Sequence, residues 1–276
     1  MPVIRHLEKL APGVKLYVIE VPDVAVKARA GQFVILRVHE TGERFPLTIA
    51  DYDAEEGTIT LVVQEVGRAT QQMGKLLARD EILNLAGPLG RPSEIEKFGT
   101  VYCLGGGIGI APIYPIARAL KEEGNTVVSI LGARNKELLF WEDKLRSVSD
   151  EVIVTTDDGS YGLQGFVTHP LKEHIDAGRR IDRVIAIGPV IMMQAVVQTT
   201  REGAIPTIVS LNPIMIDGTG MCGGCRVTVG DHTRFVCVDG PEFDGHEVDF
   251  RELMARQRQY DVEEEMILRM GEQERP

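Results

Sequence analysis

No apolar run in the chain is long enough to cross a bilayer; the stretch around residues 184–187 falls far short of the roughly 20 residues a spanning helix needs. The N-terminus has no basic stretch followed by a long apolar one, so no secretory signal is expected and the reading is a cytoplasmic protein. Nothing repeats at the periods that mark solenoids or propellers, and no low-complexity segment interrupts the chain. A basic surplus is also missing. The formal net charge of −11 speaks against a nucleic-acid partner, and acidity by itself identifies no other. Cysteine is scarce, with four in 276 residues, and three of them, Cys222, Cys225 and Cys237, crowd into one segment. In a cytoplasmic protein that crowding points to metal or redox chemistry rather than disulfides. Cys103 stands apart in an apolar run.

What is present is an ordinary globular composition, 43% hydrophobic and 26% charged, in a chain long enough for two domains and an appendage. The pattern changes twice. Over residues 1–98 short alternating or β-branched runs (14–21, 32–38, 58–63) are separated by turns at 51–57 and 87–92, as in an antiparallel barrel or sandwich. Over 99–211, buried-type strands at 101–104, 126–131, 152–155, 183–187 and 207–211 alternate with helical segments such as 113–123 and 137–148. That alternation implies βαβ units on a parallel sheet. Residues 212–250 form a glycine- and cysteine-rich third zone. A tail over 251–276 has helix-forming residues, with Leu253, Met254, Tyr260, Val262, Met266, Ile267 and Met270 as a docking face. The expected fold class is β plus α/β: an N-terminal antiparallel β-barrel, a parallel-sheet nucleotide-binding domain and a small C-terminal subdomain.

The cysteine segment reads D-x4-C-x2-C-x11-C, from Asp217 through Cys222 and Cys225 to Cys237. The plant-type ferredoxin spacing is C-x4-C-x2-C with a distant fourth cysteine, so a carboxylate stands in the first ligand position. Ferric iron accepts a hard oxygen donor, and Gly218, Gly220, Gly223 and Gly224 let backbone amides fold around inorganic sulfur. A zinc site of three thiolates with Asp217 or the nearby His232 is the alternative. A free redox C-x-x-C would leave Cys237 without a role.

The strand at 101–104 runs into Gly105-Gly-Gly-Ile-Gly-Ile-Ala-Pro112 and then a helix, which places a glycine turn at a helix N-terminus suited to a pyrophosphate. Gly105, Gly106, Gly107, Gly109 and Pro112 are the candidates there; the turn departs from G-x-G-x-x-G, and a ligand-free βα turn is the bland reading. Asp157, Asp158 and Gly159 follow one strand and Gly188 and Pro189 another, all at the carboxyl edge where open α/β sheets bind ligands. In the barrel zone, Arg44-Phe-Pro-Leu-Thr48 offers a planar cation and a hydroxyl, and Gly67 and Thr70 lie on a turn that would border the same ligand. An isolated arginine on a strand is usually just solvated.

In order and spacing these segments resemble the ferredoxin–NADP reductase superfamily over nearly the whole chain. Cys237-Val-Asp-Gly-Pro241 resembles the signature of dihydroorotate dehydrogenase electron-transfer subunits, and residues 212–222 are closer to the small subunits of NADH-dependent ferredoxin:NADP oxidoreductases. The resemblance implies FAD in the barrel, with Arg44 at its diphosphate, Thr48 near the isoalloxazine and Gly67–Thr70 beside the phosphates. It implies NAD(H) or NADP(H) over the glycine edge and a [2Fe–2S] cluster on Asp217, Cys222, Cys225 and Cys237. It further implies a larger flavin and iron–sulfur partner subunit in a heterodimer, with ferredoxin reached through the complex. Pro46 and Leu47 stand where many members carry an aromatic, and Ile187 where many carry a cysteine, so hydride transfer would rest on positioning by the cofactors. Arg134, after the second sheet strand, would suit a 2′-phosphate, whereas the family resemblance favours NAD(H). Asp217 weighs against the four-cysteine dihydroorotate dehydrogenase subunits. A zinc-stabilised nucleotide-binding regulator is the reading from another class.

Overall fold

A computed structural model describes residues 1–263 and 265–266. Six strands form the N-terminal sheet: β1 (Val3–Ala11), β2 (Val14–Glu20), β3 (Phe33–Arg37), β4 (Phe45–Asp53), β5 (Thr58–Gln64) and β6 (Asn84–Leu89). Their order is β1-β2-β5-β4-β3-β6 and every pairing is antiparallel. Two short helices, α1 (Pro22–Ala25) and α2 (Arg68–Met73), bridge strands. The β-branched and aromatic residues that favour a pleated surface turn inward, so Ile4, Tyr17, Ile19, Leu36, Ile49, Ile59 and Leu61 are wholly buried. The Tyr17 hydroxyl keeps its polarity satisfied by donating to the Met73 carbonyl at 3.0 Å.

The second sheet is built from β7 (Thr100–Gly106), β8 (Thr126–Ala133), β9 (Glu151–Thr156), β10 (Leu163–Gln164), β11 (Arg183–Ile187) and β12 (Thr207–Ser210). All of these run parallel, in the order β10-β9-β8-β7-β11-β12. Helices α3 (Ile110–Glu122), α4 (Glu142–Arg146), α5 (Thr168–Asp176) and α6 (Val190–Arg201) make the connections. Val101, Tyr102, Cys103 and Leu104 are fully buried, which explains the continuous apolar run of β7: both faces of the strand are covered. The same burial pushes the Cys103 thiol up to about 12, so it is an inert core residue.

From β12 the chain leaves the sheet, forms the hairpin β13 (Arg226–Val229) and β14 (His232–Phe235), turns through α7 (Val236–Asp239), and returns. The returning strand β15 (Glu242–Asp244) pairs antiparallel with β12, so the cysteine-rich zone is stitched to the sheet edge. Glycine-rich composition hid that strand from sequence reading. The tail contributes α8 (Phe250–Gln257), whose Leu253 is buried and Met254 packs partly against the core; Ile267 and Met270 lie outside the described residues. Two other expectations shift. β4 extends through Asp53, because Asp51, Tyr52 and Asp53 pair with Thr60, Ile59 and Thr58 instead of turning. The predicted helix over 137–148 shortens to α4, preceded by a 3₁₀ turn at Lys136–Leu138. Among the described residues no helix is long and apolar enough to cross a membrane.

Candidate functional site

The carboxyl ends of β7, β8, β9 and β11 lie on one edge, which brings the three predicted nucleotide loops together. Gly105 pairs with Ile187, so Gly188 and Pro189 emerge directly beside the glycine turn. The glycines there do different jobs. A methyl group on Gly109 would collide with the Ile187 carbonyl oxygen, and one on Gly105 would lie 2.9 Å from the Ile110 Cα, so both permit the tight βα packing. Gly106 and Gly188 make room for the Met192 side chain, and Pro112 is buried inside α3. Gly107 alone of this set combines a φ of +56° with open space beyond its Cα, at the start of the turn that leads into α3. The backbone there is left open at the positive end of the helix, a place where an anionic ligand would be favoured.

The Asp157–Gly159 loop sits two strands away, tied to the end of β8 by Asp157 N donating to the Ala133 carbonyl at 3.1 Å and Asp158 N to that of Arg134 at 3.3 Å. The Ser160 amide and hydroxyl hold the exposed Asp158 carboxylate below its ordinary range. Arg134 and the two aspartates thus occupy one corner of the edge, with opposite preferences for a 2′-phosphate.

On the barrel, Phe33 pairs with Thr48, Val34 with Leu47 and Ile35 with Pro46, while Arg44 is exposed just before β4. The β4–β5 ladder ends at Ile49↔Leu61. From there β4 leads back to Arg44 as β5 leads on to Gly67, so both candidate segments border one end of the barrel. The Thr70 hydroxyl is engaged locally: it accepts from the Val66 and Gly67 amides at 3.1 and 3.0 Å and donates to the Gly67 carbonyl. It shapes the start of α2. The Gly107–Gly109 turn packs against β5, which sets the sheet edge against the barrel.

The four residues predicted as ligands form two pairs. Cys222 Sγ lies 3.1 Å from Asp217 Oδ1, and Cys225 Sγ lies 3.2 Å from Cys237 Sγ. Hydrogen bonds from the Cys222 and Thr219 side chains hold the Asp217 carboxyl down to about 2, so it is an anionic donor at any physiological pH. Burial pushes the Cys237 thiol up, and a metal must displace its proton to bind. Among the described residues no three His, Cys, Asp or Glu side chains gather to hold one metal ion, as a tetrahedral zinc requires. His232, the spare zinc ligand, pairs with Val229 at the far end of the hairpin from Phe235 and Arg226, beside Cys225. Two pairs of oxygen and sulfur donors on a glycine-rich loop fit a binuclear iron–sulfur cluster, which takes two protein ligands on each iron.

Comparison with known proteins follows the same division. Residues 103–198 match the oxidoreductase NAD-binding domain family, and residues 212–249 match the iron–sulfur cluster binding domain of dihydroorotate dehydrogenase B. A Thermotoga maritima homologue of the dihydroorotate dehydrogenase B (NAD(+)) electron transfer subunit is 50% identical over 258 residues, covering 94% of this chain and 91% of the relative. The chain belongs to that family. A related Methanocaldococcus jannaschii protein, a probable subunit of the same kind, is 35% identical across 90% of this chain and 92% of its own length. Among solved structures, a chain of the NADH-dependent reduced ferredoxin–NADP oxidoreductase, studied for flavin-based electron bifurcation, superposes with a TM-score of 0.91 at 48% identity, covering 96% of each chain. A Neisseria gonorrhoeae ferredoxin NADP+ reductase shares the fold alone, with a TM-score of 0.61 at 20% identity over 74% of this chain and 90% of its own. The subunit family read from the motifs is therefore present, and the chain is an oxidoreductase electron-transfer subunit.

Sequence reading passed over several residues at this electron-transfer site. Asp51 receives Arg118 Nη1 at 2.8 Å and Lys144 Nζ at 2.7 Å, clasping the barrel to α3 and α4. A methyl on Gly218 would lie 2.6 Å from Ile35 Cγ1, so the loop from Asp217 to Cys225 is pressed onto β3, the strand that pairs with the flavin-candidate segment of β4. Thr219, two residues after Asp217, is a local signal that was available, since this spacing favours side-chain turns. The Asp51 clasp had no such signal, because its partners are 67 and 93 residues away.

Proposed function

We propose that the chain passes electrons between a nicotinamide nucleotide, FAD and a [2Fe–2S] cluster, to or from a larger flavin and iron–sulfur subunit of a cytoplasmic ferredoxin:NAD(P) oxidoreductase. The observation that carries it is spatial: the glycine edge lies against the barrel, and the two-pair ligand loop is pressed on the strand beside the flavin candidates. Residues 1–98 serve as the FAD barrel, 99–211 as the nucleotide domain, 212–250 as the cluster subdomain and 251–276 as the tail.

FAD accepts a hydride and releases single electrons when bound; what the protein adds is placement. Arg44 neutralises the diphosphate, Thr48 offers a hydrogen bond to the ring, and Pro46 and Leu47 give it an apolar floor. Gly67 and Thr70 shape the turn at the flavin phosphates. Gly107, supported by Gly105, Gly106, Gly109 and Pro112, admits the pyrophosphate, with Gly188 and Pro189 on the nicotinamide side and Asp157, Asp158 and Gly159 at the ribose. Asp217 and Cys222 hold one iron, Cys225 and Cys237 the other. The paired carboxylates at the ribose corner favour NAD(H) over NADP(H), since a 2′-phosphate placed beside them is repelled more than the single Arg134 attracts it.

Purified protein should show flavin absorbance and bleach faster with NADH than with NADPH; no flavin and no reduction by either would sink the reading. Iron with labile sulfide supports the cluster, and zinc alone supports the regulator. The relatives' names favour a second partner, a dihydroorotate-oxidising flavoprotein. Coexpression with one and an assay for orotate separates the two.

A further inference from the structure

The two ligand pairs are held in opposite surroundings. Cys222 is exposed, and its neighbours Met221 and Ile216 are 85% and 53% exposed. Cys225 and Cys237 are 2% and 1% exposed, in one apolar cluster with Phe33, Ile35 and Val227. Hydrogen bonding divides the same way. Asp217 Oδ2 accepts from the Thr219 hydroxyl at 2.8 Å and the Met221 amide at 3.0 Å, and Cys222 Sγ accepts from the Gly224 amide at 3.4 Å. Among the described residues a single backbone donor, Gly220, reaches the buried pair, at Cys237.

Resting on ligation by these four residues, we propose that the iron held by Asp217 and Cys222 takes up the electron, while the iron held by Cys225 and Cys237 stays ferric. Reduced flavin gives up one electron and one ferric iron becomes ferrous; no bond forms or breaks. The electron adds negative charge to an already anionic assembly, and that costs least where water and N–H dipoles face it. A carboxylate alone is a hard donor and favours ferric iron. Two hydrogen bonds on Oδ2 draw charge from it and solvent screens the rest, whereas the buried thiolates have apolar walls and one donor between them. Burial and hydrogen bonding outweigh donor hardness. The transferred electron then rests at the surface beside Met221, facing outward, with the buried pair behind it.

Mössbauer spectra of the reduced full-length flavoprotein, reconstituted with iron-57, test this in the native chain and in Asp217→Cys. The expected result is a ferrous subspectrum that shifts from mixed oxygen–sulfur to all-thiolate character, with the ferric subspectrum unchanged. A changed ferric and unchanged ferrous subspectrum would overturn the proposal. No change in either would instead show that Asp217 is not a ligand, which removes the underlying ligand assignment. If the variant does not assemble a cluster, proton NMR of the reduced native protein with β-deuterated cysteine decides. Two cysteines should follow the temperature dependence of ferric ligands and one that of a ferrous ligand; the reverse count contradicts the proposal.

Discussion

Gly107 and Gly109 lie two positions apart in one turn and should fail in different ways. At Gly109 a methyl group meets the Ile187 carbonyl, which is backbone and cannot swing aside. Gly109→Ala should therefore cost about 1–3 kcal/mol of stability by overpacking, read as a lower denaturation midpoint. Gly107 has room but a φ of +56°, so Gly107→Ala should fold with a penalty of about 1 kcal/mol and weaken nucleotide binding roughly tenfold (about 1.4 kcal/mol), measured by NADH titration. Equal loss of binding in both with no loss of stability in Gly109→Ala would contradict this division. Glycine identity was legible in the sequence, whereas the division of labour was not: it depends on Met192 and Ile187, which reach the turn only after β7 and β11 pair. The pairing of Asp217 with Cys222 and of Cys225 with Cys237 was more legible, because all four candidate ligands fall within one short segment.

Between elements, side chains distant in sequence set the geometry. Asp51 on β4 is 18% exposed and faces Arg118 and Lys144, which are 25% and 31% exposed. Asp51→Asn leaves two cations facing each other and should cost about 2 kcal/mol. The sharper readout is hydride transfer: loosening the barrel from α3 should slow flavin reduction by NADH more than it raises the Kd for the nucleotide. Glu242 on β15 makes a second clasp, accepting the Ser93 hydroxyl at 2.5 Å from the linker between barrel and sheet. Shelter from water raises its carboxyl above the ordinary value of 4.5. A raised carboxyl favours the protonated folded form, so its contribution is complete below about pH 4.5 and is lost as pH climbs through the folded value. Glu242→Gln, which keeps a neutral partner for Ser93, should raise the Tm near neutral pH and change it little in acid; a lower Tm at neutral pH would mean that the ionised form is the stabilising one. Strand and helix order was readable from periodicity, since each element buries its own face. The clasps and β15 were not, because a short strand and a lone carboxylate carry no period.

For the molecule as a whole, the proposed nucleotide–flavin half and cluster half share a scaffold and should perform separable steps. Cys222→Ser should lose the visible absorbance of the cluster yet keep NADH-driven reduction of a soluble one-electron acceptor by the flavin. Parallel loss of both activities in a folded protein would show that the halves are not separable. The return of the chain through β15 ties folding of the metal loop to the rim of the parallel sheet. β12 is the last parallel strand, and among the described residues its outer edge is covered by β15, paired at Ile208, Val209 and Ser210, and by the Gly245 amide on the Thr207 carbonyl. An uncovered strand edge is a template for pairing with other chains. Cluster loading should therefore steady this edge, and a chain that never acquires metal should self-associate more readily. Light scattering of iron-starved preparations should rise on gentle heating well before that of the loaded protein, and coincident onsets would argue against the coupling.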